Sequence, residues 1–167
     1  MEVWLHAFAF PHRVALTATW AERHGFDGVL VADSQNLNAD VWMELVLAAA
    51  STDRIGLGTG VTNPATRHPA VTASAAATLQ EESAGRAVLG LGRGDSALAQ
   101  IGRPPVHVAE LERGLVSIQA FLSGATADLE DGPSRIGWIA APERPKVPVR
   151  IAATGPHVIA VAARHAE

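Results

Sequence analysis

The chain of 167 residues contains no cysteine. A disulfide framework, a zinc–thiolate centre and a cysteine nucleophile are therefore excluded. Lysine is almost as scarce. Lys146 is the sole example, so any phosphate would have to be held by arginine or by backbone N–H groups. Basic residues do not predominate: 13 stand against 17 acidic ones, for a formal net charge of -4. Such a surface offers no broad attraction for nucleic acid. No apolar run approaches the roughly 18–20 residues of a membrane-spanning helix. The opening MEVWLHAFAF lacks the basic segment and long apolar stretch of a signal peptide. The histidines show no paired ligand spacing, so no metal site is expected. A cytoplasmic protein without nucleic-acid or membrane partners is the expectation.

What the chain does have is apolar and periodic. Hydrophobic residues make up 48% of it, sufficient at this length for one domain, residues 1–167, with a sizeable core. Short apolar runs alternate with helical patterns. Val3–Phe10, Gly28–Ala32, Ile55–Thr59, Ala87–Leu91 and Val149–Ala153 read as strands. Segments His12–His24, Asp40–Ser51, Pro69–Ala84, Val106–Leu122 and Pro156–Ala166 read as helices. Between them, 123–147 is irregular and rich in Gly, Pro and charge. It predicts an insertion with a hairpin around Arg135–Ile139. Regular strand–helix alternation implies right-handed crossovers and a parallel sheet. The pattern alone suits either a five-stranded doubly wound sheet or part of an eightfold barrel. The last residues, Arg164-His165-Ala166-Glu167, carry no cap and no polar tail, an ending expected of a cut inside a larger domain.

The segment Ile55–Gly94 is the most informative. It reads as strand, glycine-rich loop, helix, then a second strand with its own glycine-rich loop. In parallel α/β folds ligands bind at the carboxyl ends of the strands, which locates the site. With GTGVTNP at Gly58–Pro64, Arg67-His68-Pro69, LGLGRGDS at Leu89–Ser96 and IAATGP at Ile151–Pro156, the chain resembles the luciferase-like flavin oxidoreductases. Within them it is most similar to the methylenetetrahydromethanopterin reductase-like branch, which uses the deazaflavin coenzyme F420. The resemblance runs from Met1 to Glu167.

The resemblance implies a (β/α)8 TIM barrel, of which this chain would hold about the first five βα units. It implies hydride transfer between F420, or FMN as the alternative cofactor, and a small organic substrate. Luciferase-like monooxygenation and a non-catalytic flavin-binding protein or fragment are the alternatives. It also assigns residues. Asp33 matches an acid near the ring and, with His6 and Asp95, is an expected catalytic residue; it is followed here by Ser34 where the family often has histidine. Gly60-Val61 matches a bulge with a non-prolyl cis peptide that backs the ring. Thr62 and Asn63 match positions beside the ring's pyrimidine edge. Gly92, Gly94 and Asp95 match the loop under the ribityl side. Ala153 and Gly155 match the phosphate turn. Close relatives carry a glutamate at the end of the first strand, where His6 stands here; a histidine can also exchange a proton.

Each residue also has a structural reading. Asp33 and Asp95 can cap the helices that follow them, and His6 can be a packed core residue. Arg93 can meet a phosphate or lie as an exposed charge at a strand end. Trp4, Trp20, Trp42 and Trp138 read as packing residues. Five βα units would leave two sheet edges open, so a homo-oligomer, or pairing with a chain that supplies the second half, is expected.

Overall fold

The computed structural model describes residues 1–139 and 145–167. The apolar runs form the strands β1 (Trp4–Phe8), β2 (Gly28–Ala32), β3 (Gly56–Thr59) and β4 (Ala87–Leu91). Helices α1 (Val14–Arg23), α2 (Val41–Ala50) and α3 (Pro69–Glu82) connect them. After β4 come α4 (Asp95–Ala99), α5 (Val108–Leu122), β5 (Ala127–Leu129), β6 (Gly132–Ser134), a 3-10 turn at Gly137–Ile139, β7 (Val149–Ile151) and α6 (Pro156–His165). Strands β1, β2, β3, β4 and β7 form one sheet in that order, with every neighbouring pair parallel.

Alternation along the strands divides the sheet into two unlike faces. Val29, Val31, Leu57, Leu89 and Leu91 are fully buried in the core that the helices share. Each such side chain contributes roughly 1.5–3 kcal/mol on leaving water. On the other face His6 and Phe8 are exposed, and Leu30 is half-buried. Sequential strand order with the helix-packed core on one face is the arrangement of a barrel segment, and it removes the doubly wound alternative.

The helix ends are held by specific bonds. Asp40 caps α2, its Oδ1 accepting from the N–H groups of Trp42 at 2.9 Å and Met43 at 3.2 Å. Past the other end of α2, Arg86 donates to the carbonyls of Ala49 at 3.0 Å, Thr52 at 2.9 Å and Ile55 at 3.0 Å. Helices α5 and α6 are clamped together, because Glu112 accepts from Arg164 at 2.7 Å and from His165 at 3.0 Å. Those two hydrogen bonds hold the Glu112 carboxyl below its ordinary range.

Some boundaries differ from the sequence reading. The hairpin is not at Arg135–Ile139 but at β5–β6, with Ala127 opposite Ser134. Gly132, at φ +121°, supplies the turn there, while Gly137–Ile139 coils into a 3-10 turn. Helix α5 starts at Val108 rather than Val106, because the Val106 N–H is bonded to the Arg93 carbonyl at 3.0 Å. Asp95 opens the short helix α4, absent from the sequence-based strand–helix pattern. Of the irregular 123–147 stretch, residues 140–144 lie outside the described residues.

Glu22 joins α1 to the start of β3. Its Oε1 accepts from the N–H groups of Asp53 at 3.1 Å, Arg54 at 2.8 Å and Ile55 at 3.0 Å. Burial pushes this carboxyl upward. The three N–H donors and the Arg54 charge outweigh burial and hold it below the ordinary value of 4.5. A depressed carboxylate stabilises the fold above its unfolded pKa, and the benefit is lost as pH falls through the folded one. Glu22→Gln should therefore cost about 1 kcal/mol at pH 7. Thermal melts from pH 7 downward should show the deficit shrinking once the pH drops below 4.5.

Candidate functional site

A cleft of about 410 Å³ crosses the carboxyl ends of the strands. From β1 come His6 and Phe8, and from the end of β2 Ala32, Asp33 and Ser34. Gly60 and Val61 follow β3, while the turn after β4 and the start of α4 contribute Gly92 through Ala97. Ala152, Thr154, Gly155 and Val158 close the far side from β7 and α6. The Gly60–Val61 peptide is cis, as expected from the resemblance.

His6 points into the cleft, not into the helix-packed core. Its Nε2 lies 2.7 Å from the Gly60 carbonyl oxygen. A carbonyl accepts only, so Nε2 carries the hydrogen and Nδ1 remains the nitrogen able to accept one. The ring meets Phe8 edge to face at 5.5 Å between centroids.

Asp33 borders the cleft but is only 3% exposed. Its Oδ2 accepts from Thr62 Oγ1 at 2.7 Å and Arg67 Nη1 at 2.5 Å, and its Oδ1 from Gln35 Nε2 at 2.8 Å. It is not a helix cap; Asp40 has that role in α2. Arg67 also reaches Asp40 Oδ2, through Nη2 at 2.8 Å. Burial raises the Asp40 carboxyl, but the Met43 N–H, Arg67 and the Trp42 N–H together hold it below its ordinary range.

Asp95 is exposed on the cleft, at the first position of α4. The cap position belongs to Gly94, whose φ of +78° suits glycine. Ser34 and Ser96 are hydrogen-bonded at 3.1 Å, and Asn36 Nδ2 donates to the Gln100 carbonyl at 3.0 Å, tying the loop after β2 to α4.

Three residues expected at the cofactor do not line the cleft. Thr62 and Asn63 are fully buried. The Thr62 backbone runs alongside β4, bonded through its N–H to Gly90 O and through its carbonyl to Gly92 N–H, and its side chain turns to Asp33. Asn63 Oδ1 accepts from the N–H groups of Ala65 and Thr66, both at 3.0 Å, and so shapes the next turn. Ala153 packs on the small apolar cluster of Leu98, Val106, Leu111 and Val158.

Arg93 departs from the exposed strand-end reading. It is half-buried on the cleft, with Nε donating to the Val106 carbonyl at 2.8 Å. Its terminal nitrogens have no hydrogen-bond partner among the described residues. Thr154 and Phe8 were not singled out in sequence. Arg67 stood there only as part of Arg67-His68-Pro69, with nothing to show which carboxylates it would meet.

A parallel sheet with helices on one side and a glycine-walled cleft across its strand ends defines a βα-barrel segment with a cleft at its mouth. The family profile of the luciferase-like monooxygenases matches residues 3–167. The chain belongs to that family. It is 36% identical over 155 residues to 5,10-methylenetetrahydromethanopterin reductase of Methanolobus tindarius, covering 90% of this chain and 47% of that protein. It is 34% identical over 163 residues to the F420-dependent glucose-6-phosphate dehydrogenase of Beutenbergia cavernae, covering 86% and 47%. It superposes on coenzyme F420-dependent tetrahydromethanopterin reductase from Methanopyrus kandleri with a TM-score of 0.81 at 28% identity, over 99% of this chain and 54% of that one. The chain thus spans about half the length of the relatives it matches.

Two glycines separate scaffold from cleft. A Cβ at Gly90 would sit 2.2 Å from the Thr59 carbonyl oxygen, whereas one at Gly155 would meet nothing within 4 Å. Gly155 also has an extended backbone, with φ at -119°, that alanine adopts freely. In denaturant titrations Gly90→Ala should cost ~3 kcal/mol and Gly155→Ala less than about 0.5 kcal/mol.

Proposed function

We propose that the cleft binds a deazaflavin of the coenzyme F420 type, with FMN as the alternative, and that the protein acts as an oxidoreductase on a small organic substrate. The observation that carries this reading is the pairing of a flat glycine wall with one proton-exchanging nitrogen. Gly60, Val61 and Gly92 form the wall, and His6, held to the Gly60 carbonyl through Nε2, lines the cleft beside it. The wall fits a planar ring. A Cβ at Gly60 would fall 2.6 Å from Leu30 Cβ and one at Gly92 2.7 Å from the Val61 side chain, so bulk there is excluded. Arg93 and the N-terminus of α6 at Gly155 suit the anionic tail of such a cofactor. The F420-dependent relatives motivate the choice between the two cofactors.

When bound, such a cofactor supplies two-electron hydride chemistry at a ring carbon. The chain's own residues do the rest. His6 Nδ1 takes up or returns the proton that balances the hydride gained or lost by the substrate carbon. The exposed Asp95 carboxylate accepts a hydrogen bond from the substrate or from the ring edge. Asp33, enclosed by its donors, acts on the wall and not on the substrate.

The open edges β1 and β7, and Phe8 at 58% exposure on the inner face, support a second polypeptide across them. Either another copy or a chain supplying further βα units fits that reading; light scattering should show self-association.

Fluorescence titration with F420 and FMN tests the cofactor. Binding of F420 in preference to FMN is expected. Preference for FMN would move the reading to the monooxygenase branch, and binding of neither would overturn it. His6→Ala should leave the dissociation constant nearly unchanged and slow hydride transfer by about 100-fold.

A further inference from the structure

We propose that Arg67, which does not itself line the cleft, is a positioning residue that holds the ring-facing wall in register through Asp33 and Thr62. The inference rests on reading the cleft as a flavin-type site. Arg67 donates one terminal nitrogen to Asp33 and the other to Asp40. Asp40 is anchored in its turn on the first turn of α2. Asp33 then accepts from Thr62 Oγ1. The Thr62 backbone is bonded on both sides to β4, with its N–H to Gly90 O and its carbonyl from Gly92 N–H, each at 2.9 Å. An unbroken run of bonds therefore leads from the α2 N-terminus to Gly92, passing immediately behind Val61.

Each link has a physical reason. A guanidinium is a planar fork that can serve two carboxylates at fixed angles; an ammonium cannot. Asp33 is buried, so its charge requires a close cationic partner. Asp33 Oδ2 accepts from both Arg67 and Thr62, which fixes the Thr62 hydroxyl as a donor. Thr62 has no other side-chain partner among the described residues. Without the carboxylate, its rotamer and the loop behind the wall lose their anchor.

Amide hydrogen exchange on the unliganded protein tests the proposal apart from any cofactor. In Arg67→Met, Thr62 and Gly92 should exchange about tenfold faster, while Leu57 and Leu89 inside the strands change less than about twofold. Arg67→Lys, which keeps the charge but not the fork, should fall between. F420 affinity should drop about tenfold in the Met variant, with a shift in the bound cofactor's fluorescence. Uniform acceleration of all four amides would make Arg67 a general stabiliser and overturn the proposal, as would unchanged exchange at Thr62 and Gly92. Should Arg67→Met fail to fold, Asp33→Asn breaks the same link at matched size and is judged by the same amides. If the parent protein binds neither F420 nor FMN, the cofactor reading falls, while the exchange pattern still decides the role of Arg67.

Discussion

A Cβ at Gly58 would lie 2.2 Å from the Val88 carbonyl oxygen, and one at Gly90 2.2 Å from that of Thr59. The centre of the sheet depends on that clearance. β3 and β4 approach so closely that only glycine fits between their backbones, and the obstacle is main chain that cannot swing aside. Gly58 and Gly90 leave that space on β3 and β4, while Val29, Val31, Leu57, Leu89 and Leu91 on the other face are buried in the core shared with the helices. These two glycines belong to the scaffold; the glycines that line the cleft are Gly60, Gly92, Gly94 and Gly155.

The cleft inherits its character from this arrangement. Its wall is backbone and Val61, its titratable groups are few, and their states are set by what lies behind them. The carbonyl of Gly60 decides which His6 nitrogen carries hydrogen. Asp33 is consumed by Thr62, Gln35 and Arg67. That leaves Asp95 as the accessible carboxylate and Arg93 as a cation whose terminal nitrogens have no partner among the described residues. Net charge over the whole chain is -4, so attraction of an anion relies on local geometry and not on the overall field.

Packing outside the cleft follows a common device: one charged side chain satisfies several main-chain groups at an element end. Glu22 does so for the N–H groups leading into β3, Arg86 for the carbonyls after α2, and Asp40 for the first turn of α2. These are the positions where parallel α/β folds have orphaned backbone groups, because each crossover leaves a helix end beside a strand end. Arg67 ties one such position, Asp40, to Asp33 behind the cleft wall, which makes it both a scaffold bond and a support for the wall.

Strand and helix alternation, the absence of thiol chemistry and the place of the cleft at the strand ends were legible in sequence, because they depend on local periodicity and on residue type. So was the family, since GTGVTNP and LGLGRGDS keep their order and spacing along the chain. The direction of individual side chains was not. Thr62 and Asn63 sit in a motif that reads as ligand-facing, yet the pairing of Thr62 with β4 turns both inward. Asp33 reads as a catalytic acid in sequence, and only the structure shows Arg67, 34 residues away, against it. Sequence alone determined the main strands and helices of the sheet and where a cleft can be, but not α4 or the β5–β6 hairpin. Which residues face that site was decided only by tertiary structure, because a strand's register and an ion pair between distant loops are set by non-local contacts that periodicity does not encode.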